Sequence, residues 1–208
     1  SDNTTEVQVK KTLRITEIEP NREHPRKNLS DEAITALAES IRDHGMLQPI
    51  LVRPMEDGSY RIVAGERRWR AARMLGLDEV PVNIKEMTDT EAAQLALIEN
   101  LQRENLNPVE EAMGFKELIE KYGMTQDAVA KTIGRSRSSV SNSMRILALP
   151  DRILNMVEDG ELSLGHAKAL LSFENEDLMI ATAVKAANGG LTVRQVERAA
   201  QKSLENED

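Results

Sequence analysis

The 208-residue chain has no cysteine, which excludes disulfides, thiolate metal sites and a cysteine nucleophile. Apolar residues make up 40% of it and aromatics only 2%, so a core must be built from Leu, Ile, Val, Ala and Met, a composition that favours helices. The net charge of −8 speaks against a uniformly basic nucleic-acid binder, and no apolar run nears the roughly 18 residues of a membrane span or forms a signal peptide, so a cytoplasmic chain is expected.

In chain order, residues 1–12 are polar and are expected to form a flexible N-terminus. Leu13, Ile15 and Ile18 predict a short strand ending at Pro20. Ser30 reads as the cap of a helix over residues 31–44, with Ile34, Leu37, Ala38 and Ile41 as its apolar stripe and Gly45 at its end. Residues 50–53 and 59–64 predict a hairpin around the turn signal Asp57-Gly58. A helix follows to Leu75, then a strand over 80–84. From Thr88 onward every segment reads as helical. Thr88 with Glu91 makes a capping box for a helix through Leu101. Asn107, Pro108 and Glu110 start another, which Gly123 ends. Further helices are predicted over 126–132, 137–147, 151–159, 164–172, 175–187 and 193–203. The chain is therefore expected to be α+β. An N-terminal mixed α/β domain over 13–105 is followed by an all-helical domain over 106–208.

Charge is distributed unevenly. Residues 61–73 carry Arg61, Arg67, Arg68, Arg70 and Arg73 against Glu66 alone, and residues 125–150 carry Lys131, Arg135, Arg137 and Arg145 against Asp127. The stretch between them is acidic. Local patches rather than the total decide nucleic-acid binding.

Three segments carry chemistry. Gly65-Glu66-Arg67-Arg68-Trp69-Arg70-Ala71 sits where a strand turns into a helix. A glycine there leaves backbone N–H groups free for an anion, the helix dipole favours negative charge, and the arginines add forks suited to phosphate oxygens. The competing reading is a solvated basic face with Glu66 paired to an arginine. The second segment, Glu99-Asn100-Leu101-Gln102-Arg103-Glu104, closes a helix whose apolar face holds Ala92, Leu95, Ala96 and Ile98. Its Glu-Asn pair offers oxygen ligands for Mg²⁺ shared with phosphates, or serves as ordinary helix-end capping.

The third segment is a helix-turn-helix over 125–147. Ala128, Val129 and Ile133 point inward, Gly134 makes the turn, Ser136 caps the second helix, and Val140, Met144 and Leu147 form its buried stripe. Its other face shows Arg137, Ser138, Ser141, Asn142 and Arg145, without an acidic residue. Short hydrogen-bonding side chains with arginine suit base edges in a major groove. The alternative is an ordinary helical hairpin with a serine-rich face.

Leu47-Gln48-Pro49-Ile50-Leu51-Val52-Arg53, the Gly65–Ala71 segment, the Glu99–Glu104 segment and the helix-turn-helix occur in an order that resembles the ParB family of chromosome-partitioning proteins, from about Leu13 to Ala200. The resemblance implies a sulfiredoxin-like N-terminal domain that binds CTP with Mg²⁺ and hydrolyses it slowly to CDP. It also implies a helical domain that binds parS DNA, and a homodimeric clamp that closes on CTP and slides. Carried over to this sequence, it places Gln48, Pro49 and Ile50 near the nucleotide, Gly65, Glu66, Arg67 and Arg68 on the triphosphate, and Gln102 and Arg103 near the phosphates. Glu99 and Asn100 would serve the metal. Glu66, His24 and Arg26 would take part in hydrolysis, with His24 departing from the family's usual Gln. Thr125, Gln126, Arg135, Ser136, Arg137, Ser138, Ser139, Ser141, Asn142 and Arg145 would face DNA. His166 and Lys168 belong to a second DNA-facing motif, where the family usually has Arg in place of Lys168.

The implied partners are parS DNA, a second copy, a ParA-type ATPase and SMC/condensin, on the nucleoid and without a membrane. The family's basic C-terminal dimerisation domain is not found, and the acidic end Glu205-Asn206-Glu207-Asp208 suggests a truncated chain. Two alternatives stand beside this one. The first is a nucleoid-occlusion relative reading another palindrome, against which Ser136-Arg137 and Gly165 speak. The second is a plain helix-turn-helix regulator without nucleotide chemistry. A sulfiredoxin-like enzyme is excluded by the missing cysteine.

Overall fold

The computed structural model describes residues 8–21, 31–103 and 105–206. Tertiary contacts divide the chain into two compact units, Ser1–Glu99 and Asn100–Asp208. Ser30, His24, Arg26 and Glu104, all singled out above, lie outside the described residues, as do Glu207 and Asp208.

The first unit is built on β1 (Gln8–Arg14), β2 (Ile18–Glu19), α1 (Asp31–His44), β3 (Ile50–Pro54), β4 (Tyr60–Ala64), α2 (Glu66–Met74), β5 (Glu79–Ile84) and most of α3 (Asp89–Leu101). The five strands form one sheet in the order β1-β5-β3-β4-β2. The β1/β5 and β3/β4 pairs are antiparallel, while β3/β5 and β2/β4 are parallel. The predicted hairpin is present. Its turn is held by Asp57 Oδ1, which accepts from the Ser59 N–H at 2.9 Å and the Ser59 hydroxyl at 2.6 Å. Those two bonds hold the Asp57 carboxyl pKa below its ordinary value.

The expected flexible N-terminus is corrected from Gln8 onward. Residues 8–12 belong to β1, which pairs with β5 from Gln8↔Ile84 to Arg14↔Glu79. β1 is an edge strand held by its backbone pairing with β5, and exposed Lys11 and Thr12 leave no continuous apolar alternation to read.

Ile18, Ile50, Val52, Ile62, Val80 and Val82 pack with Trp69 and Ala72 of α2. On α1 the predicted stripe is buried at Ile34, Ala38 and Ile41, against Ala71. Such burial contributes about 1.5–3 kcal/mol for each large aliphatic side chain. Trp69, Ala71 and Ala72 thus anchor α2, while Arg70 and Arg73 of the same helix are exposed.

The second unit is helical: α4 (Pro108–Glu120), α5 (Gln126–Ile133), α6 (Arg137–Arg145), α7 (Asp151–Glu158), α8 (Leu164–Leu170), α9 (Glu176–Ala187) and α10 (Val193–Glu205). Predicted caps act where expected, for example Asn107 Oδ1 on the Glu110 N–H at 2.8 Å. The stripe of α6 differs from expectation. Val140, Ser143 and Ile146 are buried, while Met144 and Leu147 are only half-buried. The α-helix ends at Arg145 and tightens to a 3₁₀ turn over Ile146–Ala148, which turns Ile146 inward in place of Leu147. In α3, Leu95 is also more exposed, at 37%, than its place on the apolar face suggests.

The last turn of α3 is seated on α4. Leu101 is buried, and an added Cβ on Gly114 would lie 2.5 Å from Leu101 Cδ2 and 3.1 Å from its Cγ. Glycine in mid-helix ordinarily costs about 1 kcal/mol relative to alanine. Here the close packing reverses that preference. We expect Gly114→Ala to lower unfolding free energy by about 1–2 kcal/mol in urea titration, the cost of overpacking exceeding the propensity gain; a more stable variant would show that Leu101 has room to move.

Candidate nucleotide and nucleic-acid sites

Gly65 is the N-cap of α2, with φ +104° and ψ 25°. That backbone is strained for any residue bearing a Cβ. A Cβ would also meet the Arg68 guanidinium, 3.1 Å from its Nη2. Glycine therefore permits the turn and leaves room for the arginine folded over it.

Arg68 reaches back to the loop before β3. Its Nη1 donates to the Gln48 carbonyl at 2.9 Å and to the Pro49 carbonyl at 2.7 Å. The fork thus ties the Gln48-Pro49 segment to the start of α2, although 20 residues separate Gln48 from Arg68. Desolvation pushes the Arg68 pKa down from its ordinary value, and the Glu99 carboxylate opposes that shift. Arg67 is half-buried and its Nε is fully buried with no hydrogen-bond partner among the described residues. A buried donor without a partner costs about 1–3 kcal/mol.

Glu66 and Arg70 follow the competing expectation for this helix, lying 3.4 Å apart at i,i+4. The Glu66 side chain is only 12% exposed. Ile50 is fully buried in the sheet core, so only its backbone remains to face a ligand. Trp69 is core, with Arg73 stacked 4.8 Å from its ring centre.

At the end of α3, Asn100 Oδ1 accepts from Arg103 Nη1 at 3.1 Å, and Gln102 Nε2 donates to the Thr132 carbonyl at 3.3 Å. Glu99 and Asn100 both offer oxygen donors. Mg²⁺ takes oxygen ligands and commonly uses one or two carboxylates plus substrate phosphates, so the donor set fits such a metal.

The helix-turn-helix comprises α5 and α6. Thr125 Oγ1 caps α5 by accepting from the Ala128 N–H at 3.1 Å, and Ser136 Oγ caps α6 by accepting from the Ser139 N–H at 3.1 Å. Gly134 takes φ +80° in the turn. Ser138, Asn142 and Arg145 are exposed, and Gln126 and Ser141 half-exposed. Arg137 is exposed and lies 3.7 Å from Asp127 at the start of α5. Asp127 thus supplies the acidic neighbour that a reading of α6 alone did not reveal.

Three residues expected on the DNA face are hydrogen-bonded within the domain. Arg135 pairs with Glu111, and its Nε and Nη2 donate to Ser139 Oγ at 3.0 and 2.6 Å. Ser139 is thereby engaged as well. His166 Nε2 lies 3.0 Å from the Leu191 carbonyl and Nδ1 2.7 Å from Ser163 Oγ. A carbonyl only accepts, so Nε2 carries the proton and Nδ1 accepts from the hydroxyl. Ser163 also accepts from the His166 N–H at 3.2 Å, so the ring completes the N-cap of α8. Lys168 on the same helix is exposed.

A mixed-sheet domain with an arginine-rich helix start, followed by a helix-turn-helix domain, defines a two-part DNA-binding protein. A model of the ParB N-terminal domain matches residues 1–101, and one of the ParB HTH domain matches residues 104–205. The chain is 51% identical over 185 residues to the chromosome-partitioning protein Spo0J of Thermus thermophilus, covering 89% of this chain and 68% of that protein. The crystal structure of C-terminally truncated ParB from Caulobacter crescentus, complexed to the centromeric parS site, superposes with a TM-score of 0.81 at 43% identity, covering 92% of this chain and 99% of that one. The same Caulobacter protein has been solved with CTP-γ-S; there the identity is 44%, the coverage 85% and 98%, and the TM-score 0.43, too low to bear on this chain's arrangement. The chain belongs to the ParB family of chromosome-partitioning proteins.

Gly65→Ala is expected to destabilise the first unit by about 1–3 kcal/mol, because the new side chain meets both a disfavoured φ and the Arg68 guanidinium. Denaturant melts of the variant and of Gly65→Ala/Arg68→Ala separate the two causes. The double variant recovers only the part due to the guanidinium.

Proposed function

We propose that the chain binds parS DNA through α5 and α6 and uses CTP as the switch of a clamp on that DNA. The observation that carries the nucleotide half is the start of α2, where a left-handed glycine, a desolvated arginine and a buried, unmet Arg67 Nε converge. The DNA half is supported by the helix-turn-helix and by the Caulobacter relative complexed to parS. The choice of cytosine rests on the family resemblance alone.

In this reading Gly65, Glu66, Arg67 and Arg68 hold the triphosphate, with the Gln48–Ile50 backbone beside it. Glu99 and Asn100 hold Mg²⁺, which when bound neutralises charge on the phosphate oxygens. Gln102 and Arg103 complete the phosphate contacts. Arg68 takes part from a place already fixed by two carbonyls, so little ordering remains to oppose binding. The nucleotide links α2 to the end of α3, whose last turn rests on α4. A ligand shifts a conformation only by its differential affinity for the two states, and a triphosphate reaching both helices has such a difference. Two copies then engage as a closed clamp. Slow hydrolysis of CTP by water to CDP and phosphate breaks the link and reopens it. Glu66, His24 and Arg26 are the residues proposed for that step. A ParA-type ATPase and SMC/condensin are the proposed protein partners, and the nucleoid the proposed location.

Calorimetric titration with CTP, ATP, GTP and UTP, each with Mg²⁺ and with or without a parS duplex, tests the reading. CTP is expected to bind at least tenfold more tightly than the others. Arg68→Ala is expected to weaken CTP binding at least 100-fold while leaving affinity for a short parS duplex within about twofold, a loss of roughly 3 kcal/mol confined to one ligand. Equal loss of both ligands would refute the division of labour.

A further inference from the structure

Arg135 occupies the turn between α5 and α6 and touches every helix around it. Its backbone N–H donates to the Ala130 carbonyl at 2.9 Å, closing the end of α5. Its guanidinium donates to Ser139 and, at 3.1 Å, to Ser143 Oγ, one and two turns along α6. On the other side it pairs with Glu111 of α4 and lies 5.4 Å from the Phe115 ring centre, one turn further along α4. Phe115 is fully buried and Ser143 is 3% exposed. The Arg135 and Glu111 side chains are only 29% and 24% exposed. All three guanidinium nitrogens are thus committed before any DNA arrives.

We propose that Arg135 is a positioning residue that fixes the angle of α6 on α4, and that discrimination between DNA sequences therefore depends on Glu111, an acidic residue turned away from the reading face. A planar fork sets direction as well as distance. With Nη1 on Glu111 and Nη2 on Ser139 and Ser143, α6 cannot roll or slide on α4 without breaking a partly buried charged bond. Arg137, Ser138 and Arg145 lie across α6 from Ser139 and Ser143, with Asn142 on the flank, and all four are exposed, so a small roll of α6 displaces their tips. The inference rests on the parS reading above.

The test measures affinity by surface plasmon resonance for the Caulobacter parS duplex and a scrambled duplex over a salt series, using the full chain and the variants Glu111→Gln, Arg135→Met and Arg135→Lys. Removing an acid from a DNA-binding domain ordinarily strengthens binding to any duplex. The expected result is the reverse for parS. Glu111→Gln weakens it at least tenfold while scrambled DNA binds no more weakly than before. Arg135→Met shows the same selective loss with an unchanged salt slope. Arg135→Lys, which keeps the charge and loses the fork, resembles Arg135→Met and stands in for it if that variant melts below the assay temperature. The proposal is overturned if Arg135→Met weakens both duplexes alike and lowers the salt slope by about one, with Arg135→Lys near the parent and Glu111→Gln binding both duplexes more tightly. A parent chain that does not discriminate between the duplexes overturns the parS reading and this inference together.

Discussion

Taking a guanidinium out of water is costly unless its donors are met, and much of this structure follows from how a few arginines meet that demand. Arg53, 8% exposed on β3, reaches Asp89 at 2.7 Å and the Met87 carbonyl at 3.3 Å, pinning the start of α3 to the sheet. Arg68 draws the Gln48-Pro49 loop onto α2. Arg135 joins α4 to α6. In a chain with so few aromatic rings, small aliphatic side chains fill the cores, and these forks hold the connections between elements. Arg67 is the exception, since its Nε is buried with no partner among the described residues.

Most of the secondary structure was legible because its signals are local. Caps such as Asn107 and Ser136 stand at the helix starts they predict. The stripe of α1 and the Asp57-Gly58 turn were equally plain. Residues 8–12 were not, because an edge strand needs no apolar face and its pairing with β5 lies some 70 residues away along the chain. The buried stripe of α6 was misread for another reason. Ser143 is buried because Arg135 and Glu111 meet its hydroxyl, a partnership that no helical periodicity displays.

The candidate sites were legible by residue type and less so by role. Arginine, serine and histidine near a helix-turn-helix suggest contact with DNA, yet Arg135, Ser139 and His166 are engaged inside the domain. Glu111 and Arg135 are 24 residues apart, and Leu191 is 25 residues from His166, so neither pairing leaves a local mark. Gly65, between a strand and a helix start, takes the left-handed backbone that glycine permits. Its second role, making room for Arg68, depends on a side chain that folds back over it.

Trp69, the only tryptophan in the chain, is buried directly after Arg68 and under Arg73. Intrinsic fluorescence excited at the red edge of indole absorption therefore comes from the first unit alone, while the second has Tyr122 and Phe115 but no indole. The first unit thus carries an optical label of its own without any added dye. Loss of order in the first unit can be followed on its own, even while the helical unit remains intact.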